Sequence, residues 1–257
     1  MSRRRKIVIA LAGIVVVALV VAAGLYLRAS VIPEAYRPAV LTQAQKRAVA
    51  SDDFVPHLAE FGNDAGRAVP FTWSVTARQL NEYLASMDEI ADFLRPGPGR
   101  AGEVTAALDE AHLASPAAAL QDGLLTLMIR QSQANKILSM DVGFSFTEAG
   151  LLRVHLRRMR IGLLKLPPWL VRSWQEQIKS MLLEQLGSYD RRRAGSALSG
   201  VTSEDLGLVL SKLLLAMDGA PIEPELVWPI GRKRVRIEQV GITPEAITLH
   251  ARPVLGH

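Results

Sequence analysis

The chain of 257 residues contains no cysteine. Disulfides, thiolate metal sites, cysteine nucleophiles and a lipid-modified cysteine anchor are therefore all excluded. A domain outside the cytoplasm without disulfides is ordinary in a bacterial envelope and less usual in a disulfide-rich secretory lineage. Aromatic residues make up only 5 % of the chain, too few for the stacking platforms that hold single-stranded nucleic acid. The five histidines (His57, His112, His155, His250 and His257) include no pair at the i, i+4 spacing of a helical metal site, and no His-Glu-x-x-His occurs. There is no Gly-x-Ser-x-Gly elbow and no dinucleotide fingerprint. Gly195 to Gly200 lacks the Lys-Ser/Thr that would complete a phosphate loop. No catalytic residue can be assigned. The expectation is a non-enzymatic protein with no metal and no cofactor.

Acidic residues are also missing from the start of the chain, where the first is Glu34. The formal net charge of +5 is correspondingly lopsided. Arg3, Arg4, Arg5 and Lys6 carry four of those charges, and the rest of the chain holds 26 basic against 25 acidic residues. The basic balance belongs to a terminal cluster, so it does not point to a nucleic-acid partner.

The longest apolar run of the sequence comes directly after that cluster. Ile7 to Leu27 has no charged residue and is almost entirely Ile, Val, Leu, Ala and Gly. As a helix it would span about 30 Å, the thickness of a bilayer's hydrocarbon core. The positive-inside rule keeps Arg3 to Lys6 in the cytoplasm and puts the bulk of the chain on the far side. Tyr26 and Arg28 stand where an interfacial aromatic and a snorkelling base belong. A cleaved signal peptide is the competing reading, but its apolar region is about 7–15 residues, and Ala22-Ala23-Gly24 and Arg28-Ala29-Ser30 make poor cleavage sites. The expected organisation is a cytoplasmic stub at 1–6, a transmembrane helix at 7–27, a membrane-proximal stalk at 28–69 and an extracytoplasmic domain at 70–257. The expected localisation is single-pass in the cytoplasmic membrane, N-terminus inside.

Phe71 to Val75 alternates as a short strand. Thr76 and Gln79 then spell a capping box, with Val75 and Leu80 as a hydrophobic staple. One helix is expected to carry Leu80, Tyr83, Leu84, Met87, Ile90 and Leu94 on a single face, ending at Pro96-Gly97-Pro98-Gly99. A meander comes next. Gln121-Asp122-Gly123 and Thr147-Glu148-Ala149-Gly150 are turn signals. Between them Leu138, Met140, Val142, Phe144 and Phe146 form a dry face, and Ser139, Asp141, Gly143 and Ser145 a wet one. The phase slips at Arg157-Arg158, as a β-bulge would make it. Pro167-Pro168 opens a second amphipathic helix through Leu170, Trp174 and Ile178 to Gly187, and a third runs from about Ser203 to Met217. Strands return from Glu225, with Val235 and Ile237 inward and a turn at Gly241 to Glu245. Strands and helices are segregated, so the fold class is α+β: a curved antiparallel sheet on two or three amphipathic helices.

Among residues that could bear function, Arg153, Arg157, Arg158 and Arg160 form the densest basic patch outside the terminus. An outward strand face is the simpler account of it, and contact with anionic headgroups the functional one. His155 and His250 read as solvated strand histidines. Trp73, Trp169 and Trp174 each lie beside an apolar face. In a curved sheet closed by helices such a face is either packed core or an apolar cavity.

Four motifs in order carry a resemblance. Thr72 to Leu84 is a strand followed by an x-x-Leu-Asn-x-x-Leu helix, and Gln121-Asp122-Gly123-Leu124-Leu125 is a strand-turn-strand. Arg160 to Pro167 is a Gly-to-Leu-Pro passage into a helix, and Val235 to Thr243 is a closing hairpin. Together, behind an N-terminal anchor, they resemble the YpmS-like bacterial envelope proteins, which are broadly similar to tubular lipid-binding (TULIP-like) and LmeA-type domains. The resemblance spans about Pro70 to Val254. It implies a membrane-tethered envelope domain that binds lipid or another amphiphile in an apolar groove. Trp73, Leu80, Leu84, Phe144, Phe146, Trp169, Trp174 and Ile178 are the expected contacts. The expected partners are the membrane, lipid and envelope proteins. The alternative is a structural or protein-interaction module with no ligand.

Overall fold

The computed structural model describes residues 19–94, 102–173, 176, 180, 219–228 and 233–254. It is an α+β fold with two antiparallel sheets. Residues 19–30 form a helix, α1, whose side chains are exposed except for Ala29. Among the described residues no helix is long and apolar enough to cross a membrane. The apolar run from Ile7 begins outside them.

The segment expected as a stalk is largely built into the domain. Thr42 and Gln45 form a capping box that starts α2 (Gln43–Ala48). A π-helical stretch comes next (Val49–Phe54) and runs without a break into α3 (Val55–Ala65), which carries Pro56 in its first turn. Ala50, Phe61 and Ala65 from this region are core residues.

The capping box at Thr76 and Gln79 forms as the sequence predicts, with Gln79 N–H donating to Thr76 Oγ1 at 3.2 Å and Thr76 N–H to Gln79 Oε1 at 3.1 Å. The helix it starts is shorter than expected. It stops after α4 (Ala77–Ala85), and α5 (Met87–Leu94) restarts beyond Ser86. Ser86 is fully buried and leaves helical geometry at φ −110°, ψ 18°. Tyr83 of α4 and Ile90 of α5 belong to the same interior cluster. A further short helix, α6 (Glu103–Glu110), has no counterpart among the expected elements.

One sheet has the order β1-β9-β8-β7: β1 (Phe71–Thr76), β9 (Ala246–Val254), β8 (Lys233–Ile242) and β7 (Glu225–Trp228). Helices α3, α4 and the π-helical stretch pack on it. Phe61, Ala65, Val235 and Ala251 meet Phe71 and Trp73 in one cluster, and Ala50, Val75, Tyr83 and Ile90 meet Leu80 and Phe54 in the next. Val235 and Ile237 point inward as their alternation predicts.

The second sheet is a meander, β2 (Leu113–Gln121), β3 (Leu124–Gln131), β4 (Lys136–Phe146), β5 (Leu152–Ile161) and β6 (Leu164–Lys165). Gly123 (φ 69°) and Gly150 (φ 72°) supply left-handed turn positions at the two sequence-marked turns. Arg157 is the extra residue of a bulge: Asp141 pairs with Arg158 and Val142 with Leu156. That slip restores the same face to Met159 and Ile161, as their phase predicts. The second sheet is joined to the first and its approaches by backbone bonds. Gly123 N–H donates to the Ile242 carbonyl at 2.9 Å, and Leu152 and Ile222, just ahead of β7, exchange two bonds of 2.8 Å. Beyond β6, residues 168–173 are helical (α7), with Pro168 in the first turn.

Candidate functional site

The register of the second sheet sorts its side chains into two faces. Thr126 lies opposite Asp141, Met128 opposite Ser139, and Arg160 opposite Ser139 from the other side. The sequence expected this polar set to be solvated. Instead Thr126, Ser139 and Asp141 are buried, and so is Gly143, while Ser145 alone of the expected wet face is exposed.

Two things cover that face. Tyr36, on the segment after α1, packs against Ala117, Met128 and Ile137 and donates its hydroxyl to the Ser115 carbonyl at 2.8 Å. Arginines from β5 cover the rest. Arg160 Nη2 donates to Asp141 Oδ1 at 2.6 Å, Thr126 Oγ1 donates to the same oxygen at 2.9 Å, and Arg158 Nε stands 3.9 Å from Asp141 Oδ2. A buried carboxylate is tolerated only when its charge and lone pairs are met in this way. Of the basic patch, Arg158 and Arg160 are therefore engaged by Asp141. Arg153 Nε is buried without a hydrogen-bond partner among the described residues, and Arg157 lies exposed against Gly143. His155 bonds Ser145 at 2.7 Å and His250 bonds Thr72 at 3.0 Å, as strand histidines do.

The opposite face is apolar along its whole length. Leu125, Leu127 and Ile129 come from β3, Leu138, Met140, Val142, Phe144 and Phe146 from β4, and Val154, Leu156 and Ile161 from β5. Every one of these is only half-buried. Fully buried members of the face are Ala118 and Leu120 on the edge strand β2, Leu152 at the start of β5, and Met159 opposite Met140. The expected assignment is thus inverted in burial, with the polar face the drier one. A soluble surface rarely keeps so many contiguous apolar side chains in partial contact with solvent unless something binds there. This face is the candidate site.

The expected contacts divide unevenly over it. Phe144 and Phe146 lie on the face. Trp73 does not: its indole N–H reaches the His57 carbonyl at 3.3 Å, and its ring packs on His57 and Phe61 within the first sheet's core. Leu80 packs against that same core. Leu84 borders an open groove of about 300 Å³ between α4–α6 and β2. Trp169, at the start of α7, is 70 % exposed. Trp174 and Ile178 lie outside the residues whose side chains are described, as do the expected helix at Ser203 to Met217 and the Gly195 to Gly200 segment.

Two features escaped sequence reasoning. Asn81 of α4 uses its side-chain amide as a strand would use its backbone. Its Oδ1 accepts from Ala118 N–H and its Nδ2 donates to the Ala118 carbonyl, both at 2.8 Å, and Nδ2 also donates to the Ala77 carbonyl. This caps the free edge of β2 at Ala118. The second is a polar chain among the helices. His57 Nδ1 lies 3.0 Å from the Tyr83 hydroxyl, which bonds the Asp53 carboxylate, and Gln79 Nε2 donates to Asp53 at 3.3 Å. Burial first, then the Asp53 charge, push the Tyr83 phenol above its ordinary range. Asp53 sits on the π-helical stretch. No member of this chain lines the groove beside Leu84, and the chain braces the helical layer. No group of three or more metal-ligating side chains occurs among the described residues.

A second groove, about 830 Å³ and wide open, lies between residues 34–41, α4 and β2, floored by Ala118 to Leu120 and Asn81. Its walls mix Arg37, Arg78 and Glu82 with Val40 and Leu41. Comparison with protein-family models, curated proteins and solved structures finds no match to this chain.

Proposed function

We propose that this protein is a membrane-anchored, non-enzymatic binding domain outside the cytoplasm that takes up a lipid or another amphiphile along the apolar face of its second sheet. The observation that carries this reading is the half-buried state of that face. Eleven apolar side chains of β3, β4 and β5 share it without any of them being sealed, while the carboxylate-bearing face behind them is closed. Extended strands carrying Leu, Met, Val and Phe present ridges along which an acyl chain gains contact at every second residue. The order of the sequence motifs, similar to YpmS-like envelope domains, agrees with this reading, as does the apolar run at Ile7 to Leu27.

A phospholipid bearing a photoreactive diazirine on its acyl chain tests the reading in vesicles holding the full-length chain. Adducts are expected on peptides from β3 to β5, and Met140→Glu with Phe144→Glu, neither at a sealed position, should abolish them while the circular dichroism spectrum stays unchanged. Adducts confined to residues 7–32 would overturn it.

A second reading, an interaction module without ligand, draws on the groove at residues 34–41, where Val40 is 92 % exposed. Site-specific crosslinking from position 40 that captures an envelope protein in intact cells, with no lipid adducts on the sheet, would favour it.

A further inference from the structure

The end of α1 is fastened to the second sheet by a contact that leaves no slack. Leu163 N–H donates to the Arg28 carbonyl at 2.9 Å. Gly162, in the β5–β6 turn at φ 56°, lies so close beneath that a Cβ there would stand 2.6 Å from the Ala29 and Val31 carbonyl oxygens and 2.8 Å from that of Arg28. Only glycine fits. On the other side, Lys136 Nζ sits 4.4 Å over the Tyr26 ring. Ala29 is 6 % exposed in this joint. The domain is therefore held at residues 26–31, directly where the apolar run ends, rather than at the far end of a tether.

The surface around the joint is apolar and positively charged. Leu25, Tyr26, Leu27, Val31 and Ile32 are 44–66 % exposed on the helix side. Leu163 is 52 % exposed at the tip of the β5–β6 turn, and Trp169 stands beyond it at 70 %. Lys165 and Arg172 are exposed between and beyond them. From Ala149 to Gln175 the chain has six Lys and Arg and no acidic residue. Apolar tips, an open indole and the exposed bases Lys165 and Arg172 are what the headgroup layer of an anionic bilayer accommodates.

We infer that the β5–β6 turn is a second membrane contact: Leu163 inserts at the interface beside the anchor, with Lys165 and Arg172 against anionic headgroups, and so seats the sheet upright on the outer surface. The inference rests on reading Ile7 to Leu27 as the anchor. Seated this way, the second sheet has one end at the bilayer and the β4–β5 turn about 33 Å above it, the length of the ten residues of β5. The apolar face then runs from the lipid surface outward.

The absence of cysteine makes the test direct. Leu25→Cys, Leu163→Cys and Glu148→Cys, each spin-labelled in the full-length chain, are placed in nanodiscs of equimolar phosphatidylcholine and phosphatidylglycerol. The relative accessibility to oxygen and to a water-soluble nickel complex reports depth. The label at position 163 should shift toward the oxygen-rich value at 25 and away from the water-exposed value at 148. A label at 163 matching 148 while 25 reads as lipid-buried would overturn the second contact and leave the anchor standing. A water-exposed label at 25 would overturn both.

Discussion

Asp141 is 3 % exposed in its side chain and sits on a sheet face with a threonine and two arginines around it. A lone carboxylate there would carry a desolvation cost of several kcal/mol, which the 2.6 Å bond from Arg160 and the hydroxyl of Thr126 offset. Removing one partner is worse than removing both, because the survivor is left charged and dry. Asp141→Ala should therefore destabilise the chain by about 3 kcal/mol, with the Arg160 guanidinium, itself only 28 % exposed, left unpaired. Chemical denaturation checks the magnitude, and Asp141→Ala with Arg160→Met should recover part of the loss. The arginine cluster was legible in the sequence as a patch. Its internal neutralisation was not, because Asp141 and Arg158 stand on different strands and meet only through the β4–β5 register.

At the scale of elements, edges and ends decide the architecture. β2 is an edge strand of a meander, and an open edge invites pairing with another chain. The Asn81 amide occupies that edge from α4, so helix and sheet are tied by two hydrogen bonds as well as by packing. Asn81→Ala should cost about 1–3 kcal/mol through the unmet Ala118 groups. It should also raise the tendency to associate at high concentration. Thermal unfolding and light scattering read the two effects separately, and Asn81→Asp, which sets an acceptor-only carboxylate oxygen against the Ala77 and Ala118 carbonyls, should cost more than Asn81→Ala. The Leu-Asn spacing was visible in the sequence as part of a helix motif, yet nothing local showed which strand the amide would meet. The break at Ser86 was equally hidden. Periodicity carries Leu80 to Leu94 as one stripe, and only the buried Ser86 divides it.

Over the whole molecule, Gly162 links the two halves of the design, an apolar N-terminal segment and a sheet with an apolar face. Gly162→Ala would require a side chain at a left-handed φ and within 2.8 Å of three carbonyl oxygens. The joint should loosen at a cost of at least about 2 kcal/mol. Differential scanning calorimetry of the full-length chain should show the lower Tm. Hydrogen exchange should rise at Leu163, whose amide bonds the Arg28 carbonyl.

Much of this protein is written locally. The capping box of Thr76 and Gln79, glycine turns at Gly123 and Gly150 and the phase slip at Arg157 depend on neighbours a few residues away, so the sequence alone specifies those elements and the α+β class they build. Burial is different. Alternation along β4 separates apolar from polar side chains, but it carries no information on which side another part of the chain will cover. Residues 31–41, expected to hang between membrane and domain, contribute Tyr36 to the polar side, and β5 sends arginines over Asp141. Tertiary structure alone closes the polar face and leaves the apolar one half-open, because burial is decided by what packs across a face and not by the residues within it.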